Sequence, residues 1–185
     1  LKPVPIGGES FDPFDADGIS ARLASQGLVY SAGLGARAKP HFFLGDLECE
    51  QRTGDYAVYV AAEEYARDLT APPAMTLGHS IFLRRESLRR MLWEKLESWR
   101  WSRPDNALGR AFACYDFEAD LEESLEAMTD HEIRAVLLHE QGEYAAGERL
   151  GDDWNRMLLD LAGTPAEIMA RAVRDHLADC LVTLP

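Results

Sequence analysis

The hydrophobic period of the chain changes once, near Arg85, and that change decides what it can fold into. Upstream, from His41 to Ala62, Phe43, Leu47 and Cys49 alternate with polar residues. Thr53-Gly54 then supplies a turn, and Tyr56 to Val60 is rich in aromatic and β-branched side chains. Such a run predicts a β-hairpin. Ser80 to Leu83 predicts a third strand, reached through a short helix at residues 63–69 and the breaker Ala71-Pro72-Pro73. Downstream, Leu88, Leu92, Leu96 and Trp99 fall within about 80° of one another at the helical step of about 100° per residue.

That helix should end before Arg103-Pro104-Asp105, to be followed by helices near residues 106–114 and 118–128. Thr129-Asp130-His131-Glu132 has the form of a capping box and predicts a new helix running to about Gly147, with another at residues 152–161. Thr164-Pro165-Ala166-Glu167 repeats the device with proline at the first helical position, opening a last helix to about Leu181. Residues 1–40, rich in Gly, Pro, Asp and Ala, read as an arm or loops with one short helix at residues 17–26. The expected fold is α+β and mostly helical. After the arm comes a single domain over residues 41–185, with a small antiparallel sheet over 41–83 and a helical bundle over 85–185.

Charge narrows the class of partner. The 185 residues carry 32 acidic and 19 basic side chains, a net charge of −13, which disfavours nucleic acid and anionic membranes. No apolar run approaches a membrane span and the first residues lack a signal-peptide core, so the expected location is cytoplasmic. Three widely spaced cysteines, Cys49, Cys114 and Cys180, fit a reducing compartment. The acids concentrate: Asp116 to Glu132 holds eight of them and no Lys or Arg, which reads as a solvated helix face or as a docking surface for a basic protein. Arg84, Arg85, Arg89 and Arg90 read as partners in intramolecular ion pairs.

The segment with most chemistry is Leu137-Leu138-His139-Glu140-Gln141-Gly142-Glu143. On a helix His139 and Glu143 share a face and can reach one metal ion, with Glu140 beside them as a base. This is a His-Glu-x-x-His arrangement with Glu in place of the second His. Counting from Ile133 at about 100° per residue, Val136, Leu137 and Tyr144 define a buried stripe, and Glu140 falls inside it. A carboxylate there requires a cation, a hydrogen-bond donor or a proton. On the last helix, Met169, Ala172, Val173 and Cys180 form an apolar face with His176 among them, flanked by Asp175 and Asp179. His176 or Asp179 would complete a metal site, with zinc the first guess and iron or manganese admitted by the carboxylates. The same residues equally make a structural network in which Glu140 meets His176, Arg171 or Arg174. Gly142 fits a close helix crossing or room for a ligand.

Other signals are weaker. Gly33-Leu34-Gly35 lacks the third glycine of a phosphate loop, and His79 beside Ser80 does not make a hydrolase pair. Trp93, Trp99, Trp101 and Trp154 are expected in the core.

Glu64-Tyr65-Ala66-Arg67-Asp68-Leu69 with Ala71-Pro72-Pro73, Arg103-Pro104-Asp105-Asn106-Ala107, His139 to Glu143, and Arg171 to Cys180 together resemble a bacterial family of unknown function, seen chiefly in deltaproteobacteria. The resemblance spans about Pro40 to Pro185 and implies no activity, cofactor or site. The residues themselves point to a metal-binding, hydrolytic protein in which His139, Glu143 and His176 or Asp179 hold the metal and Glu140 polarises its water. The competing reading is a non-enzymatic interaction module with an acidic docking face.

Overall fold

The structure, a computed structural model, describes residues 2–34 and 39–183; Gly35 of the Gly-Leu-Gly stretch lies outside them. Two short strands, β1 (Val4–Ile6) and β2 (Glu9–Phe11), pair antiparallel. Helix α1 (Ala16–Leu23) follows, its first turn capped by the Asp15 carboxylate accepting from the Gly18 amide at 3.0 Å. A five-stranded sheet comes next, built from β3 (Leu28–Leu34), β4 (Pro40–Arg52), β5 (Ala57–Arg67), β6 (Ala74–Leu77) and β7 (Ser80–Arg84) in the order β3-β4-β5-β7-β6. All neighbours are antiparallel except β5 and β7, which are parallel. The sheet is therefore mixed and larger than the three antiparallel strands expected.

Two expectations for the first half are corrected. Residues 28–34, expected in an irregular arm, form an edge strand fully paired with β4. Residues 63–67, expected in a helix, continue β5, because Glu64 and Ala66 pair with Gly45 and Leu44. The β4–β5 register slips between Leu44 and Cys49, and such bulges bend and twist a strand. Gly45 is required there, since a Cβ would lie 2.5 Å from the Glu63 carbonyl oxygen. The sheet curls until its two edges approach: a Cβ on Gly33 of β3 would meet the Leu77 side chain of β6 at 2.9 Å, and Ser31 meets Met75.

A buried ion pair holds the curled sheet. Arg84, with no exposed surface, donates through Nε and Nη2 to the two oxygens of Glu64 at 3.0 and 2.6 Å, and through Nη1 to the Pro72 carbonyl at 3.2 Å. Ser87 adds a hydroxyl to Glu64 at 2.6 Å, and the guanidinium lies over the Phe43 ring at 4.5 Å.

The chain turns from β7 directly into α2 (Arg85–Ser102), which ends on Arg103 in the left-handed conformation, as Arg103-Pro104 led one to expect. α3 (Ala107–Phe112) is capped by Asn106. Leu88, Leu92 and Leu96 of α2 pack with Phe112, Phe117, Leu125 and Met128 in a helical core. α4 (Leu121–Asp160) starts at the Asp120 cap and passes uninterrupted through Thr129. The capping box expected there is not one, because the buried Thr129 hydroxyl donates back to the Leu125 carbonyl at 2.7 Å inside a continuing helix. The break comes at Gly151, with φ 71°. Ile133 and Val136 of α4 touch both the helical core and the sheet residues Val58, Ala74, Ile81 and Leu83, so α4 ties the two halves together.

α5 (Pro165–Thr183) folds back along α4, with Thr164 capping the Glu167 amide. The crossing is close: a Cβ on Gly142 would sit 2.4 Å from the Ala178 carbonyl oxygen. The apolar face expected to be buried is not, for α5 packs through Glu167 and Ala178 on its other side. Ile168, Met169 and Val173 are exposed, and His176 and Cys180 with them. The tryptophans divide: Trp99 packs against the helical core and meets Phe112, whereas Trp101 is 92% exposed and Trp93 is also at the surface.

The arginine cluster pairs inside the molecule, as its acidic surroundings suggested. Arg85 reaches Asp130 at 2.7 Å and also pairs with Glu126, and Arg89 pairs with Glu122. Much of the acidic stretch is thereby tied to α2. Among the described residues, no helix is long and apolar enough to cross a membrane.

Candidate functional site

The stripe that buries α4 on the sheet runs from Ile133, Val136 and Leu137 onward to Glu140 and Tyr144. Past Leu137 it leaves the apolar wall and meets the sheet's rim. Tyr144 donates to the Asp55 carbonyl at 3.0 Å and meets His79, while Gln141 donates to the Tyr56 hydroxyl at 2.8 Å. These polar contacts anchor the helix over the turns and hold Glu140 against edge strand β6.

Glu140 is 7% exposed. Its one hydrogen-bond partner among the described residues is Thr76, whose hydroxyl donates to Oε2 at 2.8 Å. Burial, reinforced by the Glu143 carboxylate, pushes the Glu140 carboxyl up to about 7, against the opposing pull of Thr76, His139 and Arg174. The sequence expectation that Glu140 is buried is met. The partner differs, being a strand hydroxyl rather than His176, Arg171 or Arg174.

Glu140 lines a cleft of about 840 Å³ between the edges of the curled sheet and the α4–α5 hairpin. Its walls include Lys39 and His41 at the start of β4, Thr76 and Leu77 of β6, Glu143 of α4, and Arg171 and Arg174 of α5. Two ion pairs cross or border it. Arg174 donates to Glu143 at 2.9 Å, and Arg171 donates through Nε to Glu167 at 3.0 Å. Burial raises the Glu143 carboxyl, Arg174 opposes that, and a hydrogen bond with Asp175 adds to it. Desolvation lowers His41, whose buried Nδ1 has no hydrogen-bond partner among the described residues. Pro72, tied to Arg84, forms part of the rim.

Of the residues expected to hold a metal, His139, Glu143 and Asp179 come together and His176 does not, since it points away on the outer face of α5. His139 Nδ1 meets Asp179 at 2.9 Å and Nε2 faces Glu143 at 3.7 Å. Desolvation would lower this imidazole, but the Asp179 hydrogen bond and the charges of Glu143 and Glu140 outweigh it and raise its pKa. Both nitrogens face carboxylates and Glu143 is engaged by Arg174, so this is a set of ion pairs across the hairpin. Among the described residues, no group of three His, Cys, Asp or Glu side chains is disposed to hold a metal ion.

Sequence reasoning missed Thr76, Lys39 and His41, which reach the cleft only through the curl of the sheet. A second concavity, of about 480 Å³, lies between α1 and the β4–β5 turn. Its guanidinium, Arg52, is exposed and already paired with Glu50 at 2.6 Å, and it has no buried acid.

The chain is thus an α+β protein with a buried acid in the wall of a cleft. It belongs to the DUF6866 family of unknown function, whose N-terminal domain model matches residues 1–84 and whose C-terminal domain model matches residues 89–185. The match extends over the first 40 residues, beyond the reach of the resemblance noted in the sequence. No curated protein and no solved structure matches it.

Proposed function

We propose that the protein binds a small molecule in this cleft and recognises it through a cationic group, an amine, placed at Glu140. The observation that carries the reading is a carboxyl in the cleft wall, 7% exposed, with a single hydroxyl for a partner and no guanidinium or ammonium bonded to it among the described residues. A buried carboxylate left in that condition is costly, and an ammonium ion relieves the cost by supplying charge and donors together.

Metal-dependent hydrolysis is the weaker reading. A cation at His139 and Glu143 would have to displace Arg174 from Glu143 and compete with Asp179 for the imidazole. An acidic docking face is also less favoured, because Glu122, Glu126 and Asp130 already meet Arg89 and Arg85.

Ammonium binding selects the ionised carboxylate, so it should release protons, on the order of half a proton per ligand near neutral pH. Titrating n-butylammonium chloride into weakly buffered protein, with proton release and the Thr76 and Leu77 amide shifts as readouts, tests this. Saturable shifts with proton release are expected, both lost in Glu140→Gln. The absence of both from the wild-type protein overturns the reading.

A further inference from the structure

The cleft is polarised between its two helical walls. On α4 it presents Glu140 and Glu143; on α5 it presents Arg171 and Arg174, with Lys39 on the facing sheet edge. Glu140 has no cation bonded to it among the described residues. On the other wall, Arg171 spends only Nε on Glu167, and its two terminal nitrogens hydrogen-bond to no described residue, although the side chain is 30% exposed. Lys39, exposed on the rim, makes no ion pair with a described residue. One wall therefore has an acid wanting a cation, and the other has a guanidinium fork and an ammonium with unused donors.

Helix geometry sets the span. Arg174 is level with Glu143, to which it donates at 2.9 Å, and Arg171 lies three residues further along α5. The hairpin helices run antiparallel, with His139 level with Asp179, so Glu140 lies on the other side of Glu143 from Arg171, and about six residues of helix, roughly 9 Å of rise, separate their levels. The reach of the two side chains shortens that gap, and a ligand touching both Glu140 and the free end of Arg171 still needs its two charged groups several bonds apart. An α-amino acid, with both groups on one carbon, is too short. A single phosphate or carboxylate would satisfy the α5 wall and leave Glu140 as it is.

We infer that the ligand is a small zwitterion, an aminocarboxylic acid whose amine and carboxylate are separated by several carbons. The amine is held at Glu140, and the carboxylate by the terminal nitrogens of Arg171 with Lys39. The inference rests on the amine-binding reading above and adds the second charged end. It accounts for the composition of the walls: a chain with net charge −13 gathers three cations around one cleft, opposite its buried acid. Arg–carboxylate forks are directional, so the second contact should raise affinity and select length.

The experiment compares n-butylamine, butanoate, glycine, 4-aminobutanoate and 5-aminopentanoate by amide chemical-shift titration of the full chain. Expected is binding of 4-aminobutanoate or 5-aminopentanoate at least tenfold tighter than n-butylamine, with glycine and butanoate weaker than both. Lys39→Gln, at an exposed position, should reduce that advantage several-fold. Arg171→Gln should abolish it, so that the aminocarboxylates bind no tighter than n-butylamine does to the same variant. Should that substitution unfold the chain by stripping Glu167 of a partner, the charge-balanced Arg171→Gln/Glu167→Gln pair replaces it with the same expected result. If n-butylamine binds and the aminocarboxylates bind no tighter, the zwitterion inference falls and the amine reading stands. If nothing binds, both fall.

Discussion

Glu64 and Glu140 are buried in this protein under opposite conditions. The Glu64 side chain has no exposed surface, and all of its acceptor capacity is used: Arg84 bidentately, Ser87 at 2.6 Å and Arg67 at 3.4 Å. Glu140 is nearly as buried and has one hydroxyl. Burial alone thus does not mark a functional acid. What distinguishes the two is whether the fold supplies the counter-charge. Where it does, the carboxylate is a structural bolt, fixing the curl of the sheet and the Pro72 rim. Where it does not, the carboxyl stays poised between protonation states and open to a ligand.

The largest expected effect breaks the satisfied pair. Arg84→Met leaves Glu64 buried beside a thioether, and removing one member of a buried ion pair costs about 3–5 kcal/mol. Urea denaturation at neutral pH should register that loss. Arg84→Met with Glu64→Gln should regain much of it, since no charge is left uncompensated. If the single variant is as stable as the wild type, the pair is not the bolt described.

Glu140 should behave in the reverse sense. Its folded pKa, about 7, stands above the unfolded reference of 4.5. Below the reference both states hold the proton and the site costs nothing. As pH rises from there through about 7 the unfolded chain ionises first, so stability falls, and above that it levels off. A shift of this size corresponds to about 3 kcal/mol. Glu140→Gln should therefore match the wild type near pH 4 and exceed it by up to about 3 kcal/mol near pH 9, read from denaturation midpoints at each pH. A difference that does not vary with pH would mean that the Glu140 carboxyl is not held without a counter-charge.

The two acids also differ in how far the sequence revealed them. Glu140 stands in the helical period of Ile133, Val136 and Leu137, and periodicity is a local property that survives folding. Glu64 was hidden because its segment has helix-favouring composition, and pairing with β4 overrides that preference. Its partner Arg84 lies 20 residues away, at a strand end whose register no local signal sets. Thr76 was invisible for the same reason. Helices α2, α3 and α5 were legible from their caps and stripes. The Thr129 box misled because a four-residue match says nothing about whether the helix is already under way. On α5 apolarity was mistaken for burial, whereas the informative residues were the small ones, Gly142 and Ala178, which let two backbones meet.

That close meeting sets how near the α5 arginines come to the acids of α4. Gly142→Ala places a Cβ against backbone that cannot swing aside. Overpacking of this kind costs about 1–3 kcal/mol, partly offset by the roughly 1 kcal/mol that Ala gains over Gly in a helix. A net destabilisation is expected on denaturation, with weakening of the Glu143–Arg174 pair seen as a changed pH dependence of the Arg174 resonances. An Ala variant more stable than the wild type would show that α5 is free to retreat.

The smallest effect belongs to His139, and it reports directly on Glu140. The imidazole is raised by Asp179, so its contribution to stability is present below the unfolded value of 6.5 and is lost as pH climbs through the higher folded value. With a side chain 38% exposed, solvent screening limits that contribution to about 0.5 kcal/mol. The more telling consequence is electrostatic. Protonated His139 helps hold the Glu140 carboxyl down, so His139→Gln should move the Glu140 midpoint upward and steepen it, because the two groups no longer titrate together. Carbon-13 detection of the glutamate carboxyl signals would follow this. A midpoint unmoved by the substitution would mean that Glu140 senses only its burial and Glu143, and that the unused acid is insulated from the ion pairs on the hairpin beside it.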